Sequence, residues 1–240
     1  MFKFMVLWIG TLLFFMASAN HASVPQVVVT IKPIHALVSG VMDGVGTPHL
    51  LLSGGESPHS YSLRPSQIRR LHAATLVIWV GPTVEIFLDK TLTTLSDKTQ
   101  ILRLIDEPGL NLLKIRKGKV WESHHHHEHH DSEFKIDPHI WLSPDNAKVI
   151  VQTIAQTLRE INANNAVRYT TNATRLVKQI EQLDQTLKQQ LVSIKDFPYL
   201  VFHDGYQYFE HHYGLKTRGA VTLSPETRPS VKHLRQLRAR

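Results

Sequence analysis

The chain has 240 residues, 42% of them hydrophobic and 20% charged, with 16 histidines and no cysteine. That apolar content is enough to bury a core, which excludes wholesale disorder, and the missing cysteines exclude disulfide scaffolds and thiolate zinc fingers. The formal charge of +7 comes without a basic stripe of interleaved aromatics, so no nucleic-acid partner is expected. The histidine excess, in the commonest neutral metal-ligand type, is the unusual feature.

Lys3, the apolar run Phe4 to Met16 and the small residues Ala17-Ser18-Ala19 read as a secretory signal over residues 1–22, cleaved after Ala19 or Ala22. The run of 13 residues is too short to span a bilayer as a helix. No cysteine follows it to carry a lipid, and no later segment is long and apolar enough to cross. The mature protein is therefore expected to be exported, monomeric and not membrane-spanning.

Beyond the signal, strands and helices alternate. VVVTI at 27–31 is β-branched and predicts a strand, followed by a helix from Pro33 to about Met42 and a second strand at 48–52. Pro65 suits the first turn of a helix running through Leu71, and then come a strand at Leu76 to Val80, a helix at Val84 to Leu95 and a strand at Gln100 to Leu104. Strands separated by helices imply a parallel sheet with both faces covered, whose ligand sites lie beyond the carboxyl ends of the strands.

A polar stretch at 116–138 containing HHHHEHHD interrupts the pattern, and Ser143-Pro144 opens a helix to about Asn162. Leu176, Ile180, Leu183, Leu187, Leu191 and Ile194 then recur at steps of three and four. From Ala166 to Ile194 such a helix is about 43 Å long, more than one small domain needs. It is read as a bridge between two lobes, the alternative being a plain core helix or coiled-coil seam. Tyr199 to Phe202 begins a strand, Tyr206 to His212 is helical, Lys216 to Thr222 is a strand and a basic helix starts near Pro229. Two strands cannot complete a sheet covered on both faces, so the second lobe is expected to be incomplete. The fold class expected is α/β, with two lobes of mainly parallel sheet and flanking helices. The N-terminal lobe spans 23–163, the linking helix 164–196 and the partial C-terminal lobe 197–240.

Three short stretches share a chemistry: SPHSYSLRPS around His59, DPHIWLSP around His139 and FHDGYQYFE around His203. His59 and His203 follow predicted strands at the binding edge, and His139 lies in the turn before a capped helix. Three imidazoles converging with an oxygen donor would suit a four-coordinate zinc ion, although neutral imidazole also serves copper and nickel. Separately, His124, His125, His126, His127, His129 and His130, with Glu128 and Asp131, form a polydentate patch able to hold borderline metals weakly. An expression tag does not explain it, because the run is internal and interrupted by Glu128.

VVVTIKPIHALVSGVM, SPHSYSLRPSQIRRLHAATLVIWVGP, the histidine-rich loop, DPHIWLSP, the long helix and FHDGYQYFE occur in that order. Together they resemble the periplasmic zinc-binding proteins of ATP-binding-cassette importers, the zinc branch of a cluster that also binds manganese. The resemblance covers the chain from about Val24 to Arg240. It implies a periplasmic solute-binding protein that holds Zn2+ between two lobes on His59, His139 and His203. Its partners would be an inner-membrane ABC zinc permease with its cytoplasmic ATPase. Where some members carry Glu before the first histidine, this chain has Pro58; nearby Glu56 is a weak candidate oxygen donor. The family's late aspartate would lie beyond Arg240, which suggests a truncated chain.

Other functions weighed are an exported histidine-rich metal buffer or adhesin, a manganese-type binding protein and an exported zinc hydrolase. The hydrolase would need a base such as Glu56, Asp204 or Glu210, and no HExxH spacing exists, so no enzyme is expected. Deleting residues 122–133 is expected to lower the number of zinc ions bound while sparing the tightest site. An unchanged stoichiometry by equilibrium dialysis would show that the loop collects no metal.

Overall fold

The computed structural model describes residues 24–54, 58, 61–116, 136–222 and 228–239. The signal segment and the six loop histidines lie outside these residues. A first sheet carries four parallel strands in the order β2 (His49–Leu50), β1 (Val27–Val29), β3 (Leu76–Trp79), β4 (Gln100–Arg103). Its register sets Val28 opposite both His49 and Val77, and Val77 opposite Ile101.

The two central strands, β1 and β3, are buried on both faces, as unbroken apolar strands demand. Val27, Val29, Leu76, Ile78 and Leu102 point to a core closed by α1 (Lys32–Val41) and α4 (Pro144–Ile161). Val28, Val77 and Trp79 point the other way, toward Leu71 of α2 (Pro65–His72) and toward Leu88 and Leu92. Ser143 caps α4 by accepting from the Asn146 N–H, and Pro144 occupies its first turn.

One predicted helix is broken. In place of Val84 to Leu95 there is a 3₁₀ turn at Ile86–Leu88 and a single turn, α3 (Asp89–Leu92). The cause lies at Glu85, which is fully buried and whose carboxylate accepts from Thr30 Oγ1 (2.5 Å), Val80 N (3.3 Å) and Gly81 N (3.0 Å). A side chain bonded back to the end of β3 starts no regular helix there.

The long helix, α5 (Ala166–Leu191), has 26 residues, roughly 39 Å, and stops three short of the predicted Ile194. Its first half packs against α1 and α4. Asn172 Nδ2 donates to Val41 O (2.9 Å) and Asp43 O (2.8 Å), and an added Cβ at Gly40 would meet Leu176 Cδ2 at 2.9 Å. Further along, the predicted stripe emerges from the core, with Leu183 57% exposed. The helix leads into a second parallel sheet of β5 (Tyr199–His203) and β6 (Thr217–Thr222), with α6 (Gln207–Tyr213) between them and α7 (Val231–Arg238) packed on β6. His212 ties α6 back to α5 through Asp184 (2.7 Å), which Lys188 also holds.

Burial pushes the Glu85 carboxyl up to about 7, against the pull of its hydrogen bonds. A raised carboxyl pKa supports the fold fully below the ordinary value near 4.5, and that support is lost as pH rises toward 7. Glu85→Gln removes the titration. Its stability relative to the parent is expected to rise by up to roughly 3 kcal/mol between pH 4.5 and 7.5. Urea unfolding at both pH values checks this, and a pH-independent difference would refute it.

Candidate metal site

His139 is positioned by a short stem. Lys114 and Ile136 form an antiparallel bridge, and Asp137 N–H donates to Leu113 O at 2.8 Å. The buried Asp137 then accepts at Oδ1 from the His139 backbone N–H (3.0 Å) and from imidazole Nδ1 (2.8 Å). A proton on Nδ1 facing the carboxylate leaves Nε2 with its lone pair outward, as in the carboxylate–histidine pairs that orient metal ligands. The 3₁₀ turn Ile140–Leu142 follows, and the Trp141 ring meets the imidazole edge-on at 5.4 Å.

His203 is the last residue of β5, at the carboxyl end of its strand. The chain turns at once: Asp204 N–H donates to Thr222 O (3.2 Å) and Gly205 N–H to His203 O (2.9 Å) before α6 begins. Tyr208 of α6 joins the two frames, because its hydroxyl accepts from Leu113 N (3.0 Å) and donates to Asp137 O (2.7 Å).

Across 64 residues of sequence the two imidazoles meet with Nε2 to Nε2 at 3.3 Å. Nitrogens held about 2.0–2.1 Å from one tetrahedral zinc ion stand roughly 3.3 Å apart, so the pair already has the spacing of two ligands of one ion. Gly205 makes the approach possible. A Cβ there would lie 2.9 Å from His203 Cδ2, 3.1 Å from His203 Nε2 and 3.2 Å from His139 Nε2.

Carboxylates crowd the far side of the pair. Burial pushes the Asp204 carboxyl up to about 6, Arg116 opposes the rise, and the charges of Asp137 and Glu210 add to it. Glu210 is buried, accepts from the Tyr199 hydroxyl (3.0 Å) and is ion-paired with Arg116. So engaged, Glu210 does not stand as a free general base, the role a hydrolase would ask of it.

The structure thus brings His139 and His203 together. His59 and Glu56 lie outside the described residues, although the segment after His59 is fastened: Tyr61 donates to Gln67 Oε1 (3.0 Å) and packs edge-on against Phe87. Among the described residues no group of three His, Cys, Asp or Glu is arranged to hold a metal ion. Sequence reasoning missed Asp137 and Gly205, and both stood in its motifs. Asp two residues before His139 is a carboxylate within reach of the ring, and Gly two residues after His203 marks a close backbone approach.

Residues 27–240 match the family described as the periplasmic component A of the zinc-uptake complex, and the chain belongs to that family. Its members are transport components rather than enzymes, and their cargo is zinc. The high-affinity zinc uptake system protein ZnuA of Brucella abortus is 37% identical over 238 residues, covering 88% of this chain and 71% of that protein. The ZnuA of Yersinia pestis is 37% identical over 237 residues, covering 93% and 74%. In fold, the chain resembles the periplasmic zinc-binding protein TroA of Treponema pallidum. The TM-score is 0.76 at 19% identity, over 90% of this chain and 74% of that one. No helix of the described residues is long and apolar enough to cross a membrane.

Gly205→Ala is expected to push the two rings apart and weaken zinc binding about tenfold or more, roughly 1.4 kcal/mol. Competition against a chromogenic chelator measures this; an unchanged affinity would mean that the close approach is dispensable.

Proposed function

We propose that the protein captures Zn2+ in the periplasm on His59, His139 and His203 and hands it to an inner-membrane ABC permease powered by a cytoplasmic ATPase. The observation that carries this reading is the 3.3 Å meeting of His139 and His203, with Asp137 orienting the first ring. Membership of the zinc-uptake family supports the choice of cargo. Borderline zinc suits imidazole better than a hard ion does.

Capture and release follow from where the ligands sit. His139 stands before α4, which packs on the first sheet, and His203 ends a strand of the second. An ion bridging them holds the two sheets together, and parting them removes a ligand. Binding exchanges the contact between the rings for two metal–nitrogen bonds, and His203 must present an unprotonated Nε2. Asp137 keeps His139 in the competent tautomer throughout. Delivery to the permease then needs only that docking favour the parted arrangement.

Zinc titration of the mature protein is expected to show one tight site. His59→Ala, His139→Ala and His203→Ala should each weaken it by a hundredfold or more, and Asp137→Asn by about ten- to a hundredfold. Reconstituted with its permease in proteoliposomes, the protein should support ATP-dependent zinc uptake that each histidine variant abolishes. A tight site indifferent to all three histidines would refute the ligand set; binding without uptake would refute the delivery role.

A further inference from the structure

Resting on the zinc-capture reading, we propose that Arg116 is a positioning residue for the metal site, pinning the turn that carries His203 to the stem that carries His139. Arg116 lies two residues beyond Lys114, which is bridged to Ile136, the neighbour of Asp137. Its guanidinium, 15% exposed, pairs with Glu210 of α6 and stands 3.7 Å from Asp204 Oδ1. The two carboxylates are 4% and 6% exposed, so neither charge has much water to turn to.

Among the described residues, Arg116 is the basic side chain ion-paired with both of these carboxylates. Glu210 gives one oxygen to the Tyr199 hydroxyl and the other to Arg116. Asp204 Oδ1 is buried without a hydrogen bond and faces the guanidinium as an ion-pair partner. Asp204 follows His203 directly, so the position of its carboxylate constrains the ligand's backbone. The other ties between stem and α6, Tyr208 to Asp137 O and Gln207 Nε2 to Lys114 O (3.0 Å), hold the start of the helix and involve neither buried carboxylate. A planar guanidinium offers several donors in fixed directions and can serve two carboxylates at once. A lysine ammonium supplies the charge without that geometry.

The test uses the full mature chain and its Arg116→Gln, Arg116→Lys and Arg116→Gln/Glu210→Gln forms. Zinc affinity, zinc release to a chelator, the visible spectrum of the cobalt-loaded protein and the melting temperature of the metal-free protein are all measured. Arg116→Gln is expected to lose tenfold or more in affinity, mostly through faster release, with an altered cobalt spectrum. Arg116→Lys should fall between it and the parent, and the double variant should regain part of the loss, since fewer unpaired charges stay buried. Parental affinity, release and cobalt spectrum in both Arg116→Gln and Arg116→Lys, with only the melting temperature lowered, would overturn the proposal by leaving Arg116 a purely structural role. Should Arg116→Gln not fold, Arg116→Lys alone decides by the same readings. A parent without a tight zinc site would instead overturn the capture reading beneath it.

Discussion

Two imidazoles at 3.3 Å, drawn from opposite sides of a long helix, are the contact around which the rest of the molecule is organised. A single contact between two ring nitrogens is too weak to hold two sheets in place. The approach therefore has to be imposed by the frame around it. On one side the frame is Asp137, buried and bonded to both the ring and the backbone of His139. On the other it is the sharp turn after β5, where a glycine leaves room for both rings. Tyr208 joins the two by bonding to Leu113 and Asp137 from α6.

Behind this contact the division of labour is clear. The first sheet, its central strands buried on both faces, is the platform, and α5 is fastened to the α1 side of it by Asn172 and the close packing at Gly40. The second sheet and its helix meet the platform through the polar ties of Tyr208, Gln207, the Arg116 carboxylate pairs and His212 with Asp184, and through the buried ring of Tyr208 in the platform's core. Polar ties are directional, so they fix how the turn after β5 sits against the stem that carries His139. The capture and release proposed above would act on this joint, with the ion bridging its two sides.

Much of the fold was legible because the two central strands of the first sheet, β1 and β3, are unbroken apolar runs, and because Pro65, Ser143 and Pro144 mark helix starts. The broken helix at 84–95 was not legible. Its composition suits a helix, but Glu85 is drawn by tertiary position onto Thr30 and the end of β3. The apolar stripe of α5 suggested packing along its whole length, yet only its first half lies against the first sheet's helices; further on, the contact with α6 is made by Asp184 and His212, while Leu183 of the stripe is exposed. At the site, DPHIWLSP and FHDGYQYFE singled out the two histidines that meet. The carboxylate before one and the glycine after the other stood in the same motifs and show their roles only once the backbone path is known.

Sequence by itself determined the α/β class and the long helix, and it marked the three histidine-bearing stretches proposed as the metal site. These are local properties: periodicity, capping and side-chain type act over a few residues, and motif order carries the family. Which atoms meet was decided by tertiary structure alone. Positions 139 and 203 are brought to 3.3 Å, and 116 to 204 and 210, only when two sheets and the helix between them are packed. Distances across so much chain depend on the sum of every intervening turn, and no local pattern encodes that sum.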